Sequence, residues 1–182
     1  MKKIAFAIAV ILSIASAARA QTQPPQPGPE HKKMLIWVGD WTLVEETRES
    51  VSAPWDKAAV SCETQPILGG FFLEYRCKIK AKGREINHVE IESYDPVKKT
   101  NVTSFFNSEG VSGHVTFANY VGNKEEIRYT LLDINGKMLE ARCTWTFGPD
   151  FMSMSGSCDQ LTNGKWELFR KMTGTKTKAA VK

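Results

Sequence analysis

The feature that most constrains this chain is a hydrophobic alternation of period two that begins near residue 41 and persists to about residue 172. It is cleanest over residues 71–82, where Phe71, Leu73, Tyr75, Cys77 and Ile79 share one face while Glu74, Arg76, Lys78, Lys80 and Lys82 share the other. A helix would scatter these sets, whereas a strand sorts them, one face to a core and one to water. The same pattern predicts strands over 41–49, 57–64, 71–82, 86–94, 101–107, 113–121, 124–132, 137–147, 151–158 and 165–172, with turn residues between them. Short strands so closely spaced make an antiparallel meander. Ten strands leave two long unpaired edges unless the sheet closes, so the expected fold is all-β: an up-and-down barrel of about ten strands. A two-sheet sandwich is the alternative, but its long crossovers have no counterpart among these short connections. One short helix precedes the strands. Pro29 suits its first turn, Met34, Leu35, Trp37 and Val38 recur at helical spacing, and Gly39 can end it.

Register can be read at three hairpins. A three-residue loop, Ile134-Asn135-Gly136, opposes Leu139 to Leu131 and Ala141 to Tyr129, keeping every apolar residue inside, which predicts a bulge at Gly136. The same device at Thr162-Asn163-Gly164 would set Cys158, Gly156 and Met154 opposite Leu168, Arg170 and Met172. At Gly122-Asn123 a two-residue turn turns residues 114, 116, 118 and 120 inward, and a longer loop turns Val115 and Phe117 inward; the apolar pattern favours the second.

The chain ends differ in composition from this body. Residues 1–20 combine a basic Met1-Lys2-Lys3, an apolar stretch from Ile4 to Ala15 and an A-x-A site at Ala18-Arg19-Ala20, the pattern of a secretory signal peptide cleaved after Ala20. Its removal takes away Lys2, Lys3 and Arg19 and no acid, bringing the formal charge from +4 to +1. No clustered basic face for nucleic acid and no transmembrane span are then expected. Residues 21–28 read as a disordered Pro/Gln leader, 29–173 as a single barrel domain and 174–182 as a flexible basic tail. In an exported chain, Cys62, Cys77, Cys143 and Cys158 imply two disulfides with three possible connectivities. Placement across hairpins favours Cys62–Cys77 with Cys143–Cys158, and the wide gaps argue against a zinc site.

Gly39-Asp40-Trp41, at the helix-to-strand junction, resembles the G-x-W motif of lipocalins and other calycins. That resemblance implies a Trp41 that closes one barrel end and a basic partner from the last strand, Arg170, lying across it, with Trp166 and Leu168 on the same inward register. A longer run, residues 27–33 into Val38-Gly39-Asp40-Trp41, then Cys62, Gly69-Gly70-Phe71-Phe72-Leu73, Cys77 and Tyr94-Asp95, resembles the exported members of the domain-of-unknown-function 1579 family of bacterial proteins. The family implies a calycin-like barrel and a periplasmic or secreted location, and supplies no catalytic residues. In its closing segment Asn163-Gly164-Lys165-Trp166 has Asn where some members have Asp.

Motifs that carry chemistry are missing: there is no H-E-x-x-H, G-x-S-x-G, phosphate-cradling glycine loop or C-x-x-C, and no cofactor or metal is implied. Of the three histidines, His31 reads as solvated on a first helical turn. His88, with Glu90 and Glu92, reads as the solvent side of a strand because Val89 and Ile91 oppose them; a polar cluster in a cavity is the alternative. The inward apolar face nominates Phe71, Tyr75, His114, Phe117, Tyr129, Trp145 and Met154 as candidate ligand contacts, with Met152 beside them and the small Ala141 and Gly156 giving room. The expected function is therefore an exported barrel that binds a small apolar or amphipathic molecule inside. A filled barrel acting through an exposed Trp55 on an unidentified envelope partner is the second reading, and an enzyme using His114 and nearby acids the third.

Overall fold

The computed structural model describes residues 25–132 and 136–177. A helix, α1 (Pro29–Met34), continues as a 3-10 turn over Leu35–Trp37. Ten strands follow: β1 (Gly39–Thr47), β2 (Asp56–Ile67), β3 (Phe72–Ala81), β4 (Arg84–Asp95), β5 (Thr100–Asn107), β6 (Ser112–Val121), β7 (Lys124–Leu132), β8 (Met138–Phe147), β9 (Ser153–Thr162) and β10 (Lys165–Thr177). Each pairs antiparallel with the next, and β10 returns to β1, closing the barrel. Closure runs over eight residue pairs from Asp40 against Thr177 to Thr47 against Arg170. Closure satisfies both edge ladders at once, as the meander required.

The inward set follows the alternation wherever one face is charged. Leu73, Tyr75 and Cys77 of β3 are buried, and the opposite face holds Glu74 and Arg76 as an ion pair and Lys80 paired to Glu85. Among the described residues no helix is long and apolar enough to cross a membrane. Both favoured disulfides are present, Cys62–Cys77 and Cys143–Cys158, each joining residues directly opposed across a hairpin. Two such bridges fit an oxidising, extracytoplasmic compartment.

Register departs from expectation at two bulges. In β6 the two-residue turn does form, with Val121 against Lys124, so Ala118 and Tyr120 face inward; a shift at Thr116 then turns Val115 and Gly113 inward as well. Val115 is kept from one register and Ala118 and Tyr120 from the other, while His114, Thr116 and Phe117 point outward. In β10 the hairpin is also a two-residue turn, Lys165 against Thr162, with Asn163 and Gly164 at positive φ, and the shift comes later, at Phe169. Arg170 thus opposes Cys158, Met172 opposes Gly156, and Met154 opposes Gly174, two residues from the expected pairing. Trp166 is consequently on the outside, 36% exposed and covered by the Arg142 guanidinium 4.6 Å from its ring centroid. At the β7–β8 hairpin Leu131 opposes Leu139 and Tyr129 opposes Ala141 as expected; residues 133–135 of its loop lie outside the described residues.

The barrel also extends further than the alternation suggested. Thr173 to Thr177 are strand, paired to β1, so the segment read as the start of a tail completes the closure. Phe71 lies before β3, beyond Gly69 and Gly70 at positive φ, and packs against His31 outside the cavity. His31 itself accepts a hydrogen bond from the Gly28 N–H at 3.2 Å and meets Phe71 and Tyr94 edge-on, so it caps α1 instead of being solvated. Residues 1–24, which cover the expected signal peptide and half of the expected Pro/Gln leader, and 178–182 lie outside the described residues.

Candidate functional site

The 3-10 turn after α1 seals one end of the barrel. Trp37 and Trp41 pack against Phe147, and the Trp41 Nε1–H donates to the Trp37 carbonyl at 2.8 Å. The cation over Trp41 is Lys176, 4.9 Å from the ring centroid, its Nζ donating to the Ile36 carbonyl. Arg170 is not that partner. The Phe169 bulge and the longer β10 place it opposite Thr47, at the far end of β1 from Trp41, where it sits 5.8 Å over Trp145 and pairs with Glu45 at 2.5 Å.

Behind this seal the barrel holds a cavity of about 340 Å³. Its wall runs from Trp37 and Glu125 at the closed end to Asn107, Val111 and Leu131 at the far rim. Leu43, Val60, Phe105, Ile127 and Trp145 make most of the apolar wall. β4 supplies three of its polar groups, His88, Glu90 and Glu92, which point inward. This reverses the solvent reading of that strand. The registers force it: Tyr75 and Cys77 are buried, and the residues directly opposite them are Glu90 and His88.

At the closed end, Glu92 (3% exposed) accepts hydrogen bonds from the Tyr75 hydroxyl at 2.5 Å, the Tyr120 hydroxyl at 2.9 Å and the Asn101 amide at 2.9 Å. Glu125 (5% exposed) accepts from the Trp37 indole N–H at 2.8 Å. Burial raises the pKa of Glu92 despite these three donors. Burial and then the nearby Glu92 charge push Glu125 up to about 8 against the opposing pull of Trp37 and Tyr120. Burial beside the carboxylates also holds the Tyr75 and Tyr120 hydroxyls well above the ordinary phenol range. Toward the rim, His88 Nε2 and Glu90 Oε1 are 2.7 Å apart. Burial works against the Arg170 charge, yet Glu45 and Tyr129 together raise its pKa above the ordinary value. Among the described residues the Arg170 Nε–H has no hydrogen-bond partner, and the side chain, 27% exposed, lines the cavity.

Of the nominated contacts, Tyr75, Tyr129 and Trp145 line the cavity. Met154 is buried in the sealed end beside Phe147 and does not line it. Phe117 is 39% exposed on the outer wall, with Arg128 above its ring. His114 is exposed too, 3.0 Å from the Ser104 hydroxyl on the outer face, and does not line the cavity. Gly156 opens no space, because the Trp145 ring fills the position where a Cβ would stand. Trp55 is half-buried between Arg48 and Lys171, 4.5 Å and 4.4 Å from its ring centroid, so it is not a free contact residue. The cavity likewise sets aside the filled barrel. Trp37, Tyr120 and Glu125 were not nominated, and Glu92 was placed on the solvent side with a polar cavity cluster as the alternative. The signal for two of them was present, since Glu125 shares the inward alternation of Ile127, Tyr129 and Leu131, and a two-residue turn at Gly122-Asn123 places Tyr120 opposite it. Among the described residues no three His, Cys, Asp or Glu side chains are grouped to hold a metal ion.

Residues 26–176 match the family described as "Protein of unknown function (DUF1579)". The chain belongs to this family. The DUF1579 barrel is similar in fold to Rv2717c from M. tuberculosis, at 12% identity and a TM-score of 0.58 over 83% of this chain and 99% of that one. It is also similar to the S-type phycobiliprotein lyase CPES from Guillardia theta, at 10% identity and a TM-score of 0.51 over 84% of this chain and 99% of the lyase. At such identities the likeness shows the fold. Among curated proteins no sequence matches the chain.

Proposed function

We propose that this DUF1579 protein is an exported, periplasmic carrier that holds a small amphipathic molecule inside its barrel. The observation that carries the reading is the cavity of about 340 Å³, whose apolar wall is interrupted by polar groups at both ends. Small-molecule sites have this character, a mostly apolar concavity of roughly 300–1,000 Å³ with a few polar groups that orient the ligand. The volume stands at the lower end of that range and suits a short-chain amphiphile. The cystine bridges support a location outside the cytoplasm. The leader at residues 1–20 is consistent with it, and the mass of the secreted protein, beginning at Gln21, checks that part.

Binding is tested by titrating the purified protein with short-chain alcohols, acids and amines while following tryptophan fluorescence, since Trp37 and Trp145 are both in the wall. Saturable change is expected with at least one class. It should weaken in Val60→Phe, which adds bulk to the wall, and the absence of change with every class would contradict the proposal.

A further inference from the structure

The polar groups of the cavity are not balanced in charge along its length. Toward the rim each carboxylate has a basic neighbour: Glu45 has Arg170, and Glu90 has His88. At the closed end Glu92 and Glu125 face the cavity with only neutral donors around them: Tyr75, Tyr120, Asn101 and the Trp37 indole. No basic side chain pairs with either among the described residues. Beside them the wall presents aromatic rings, Trp37, Tyr75 and Trp145. A carboxylate next to aromatic faces, shut away from water, attracts a positively charged nitrogen through both Coulomb and cation–π terms. An anionic head would instead meet two acids there.

Building on the carrier reading, we propose that the bound molecule is a cationic amphiphile, an amine or ammonium whose charged nitrogen sits at the closed end against Glu125 and Glu92 and whose apolar part lies along Leu43, Val60 and Ile127 toward the rim. The nitrogen supplies the charge partner that the fold omits. The groups facing Glu125 define the linked proton: Glu90 and Glu92 from β4, Tyr75 from β3, Tyr120 from β6 and the Trp37 indole from the 3-10 turn. Two buried acids so close retain a proton in the empty cavity, and a bound cation expels it. Binding of the amine therefore strengthens as pH rises toward about 8, while the amine itself stays charged.

The experiment compares decylamine, decanol and decanoate, which share one apolar tail, by titration calorimetry on the intact mature protein. Decylamine is expected to bind at least about tenfold more tightly than either of the others near pH 8, a difference of about 1.4 kcal/mol. Its affinity should fall by up to about tenfold per pH unit as the pH is lowered from there, with proton release on binding, while decanol affinity stays level. In Glu125→Gln the ratio of amine to alcohol affinity should collapse toward one. Should that variant misfold, the pH profile of the wild-type protein decides alone. Equal or tighter binding of decanol or decanoate, or a pH-independent amine affinity, overturns the charge assignment and leaves the carrier reading intact. Failure of all three to bind overturns both.

Discussion

Glu125 carries the sharpest prediction at the level of single residues. In the folded protein its proton is held up to about pH 8, against an ordinary value of 4.5, because burial and Glu92 disfavour its charge. Between those limits the folded chain binds more protons than the unfolded one, so stability falls as pH rises through the window. Glu92 is shifted in the same direction and adds to the slope. Thermal melts should therefore show Tm declining from about pH 5 to about pH 9, with a shallower decline in Glu125→Gln and a higher Tm than wild type at the alkaline end. A steeper decline in the variant would count against the burial of this acid. Arg170 behaves in the opposite sense. Arg170→Met leaves Glu45 without its cation and is expected to cost about 3–5 kcal/mol in denaturant melts, much of which Glu45→Leu should restore in the double variant. A single variant as stable as wild type would show the pair to be idle.

How legible each strand was depends on what its two faces carry. β3 was readable because every outward position from Glu74 to Lys80 is charged, whereas β4 places His88, Glu90 and Glu92 inside and Val89 and Ile91 outside, inverting the usual sense. The adjacent hairpin decides such a strand, since the two-residue turn at Lys82-Gly83 sets His88 opposite Cys77 and Glu90 opposite Tyr75. The bulges at Thr116 and Phe169 were hidden for a related reason: one extra residue flips every later side chain, and no local signal marks the insertion. Hence Phe117 and His114 were expected inside, and the register that turns Tyr120 inward was disfavoured. Between β8 and β9, close approach is set by Gly156, where a Cβ would stand 2.2 Å from the Thr144 carbonyl oxygen and 2.3 Å from the Trp145 ring. Gly156→Val should push that ring toward the cavity and lower stability by about 1–3 kcal/mol, with loss of the near-ultraviolet circular dichroism of Trp145. Unchanged melting and spectra would mean that the two strands are not so closely seated.

For the whole molecule, ten strands and one closure produce both the cystine-stapled shell and the cavity inside it. The closed ladder was foreseeable from the count of strands and the shortness of their connections; the cavity was not, because volume is the difference between a wall's radius and the side chains that fill it. Three of the seven nominated contacts line it, namely Tyr75, Tyr129 and Trp145, while the acids that give it chemical character come from positions where polarity argued for solvent. The central claim is that this interior exists to be occupied. Native mass spectrometry of the mature protein, taken directly from the cell envelope in which it is made and again after extraction with organic solvent, tests this most directly. A single small adduct that disappears on extraction and returns when the extract is added back is the predicted result. A bare mass at every step, with no adduct recovered on adding back the extract, would contradict the account.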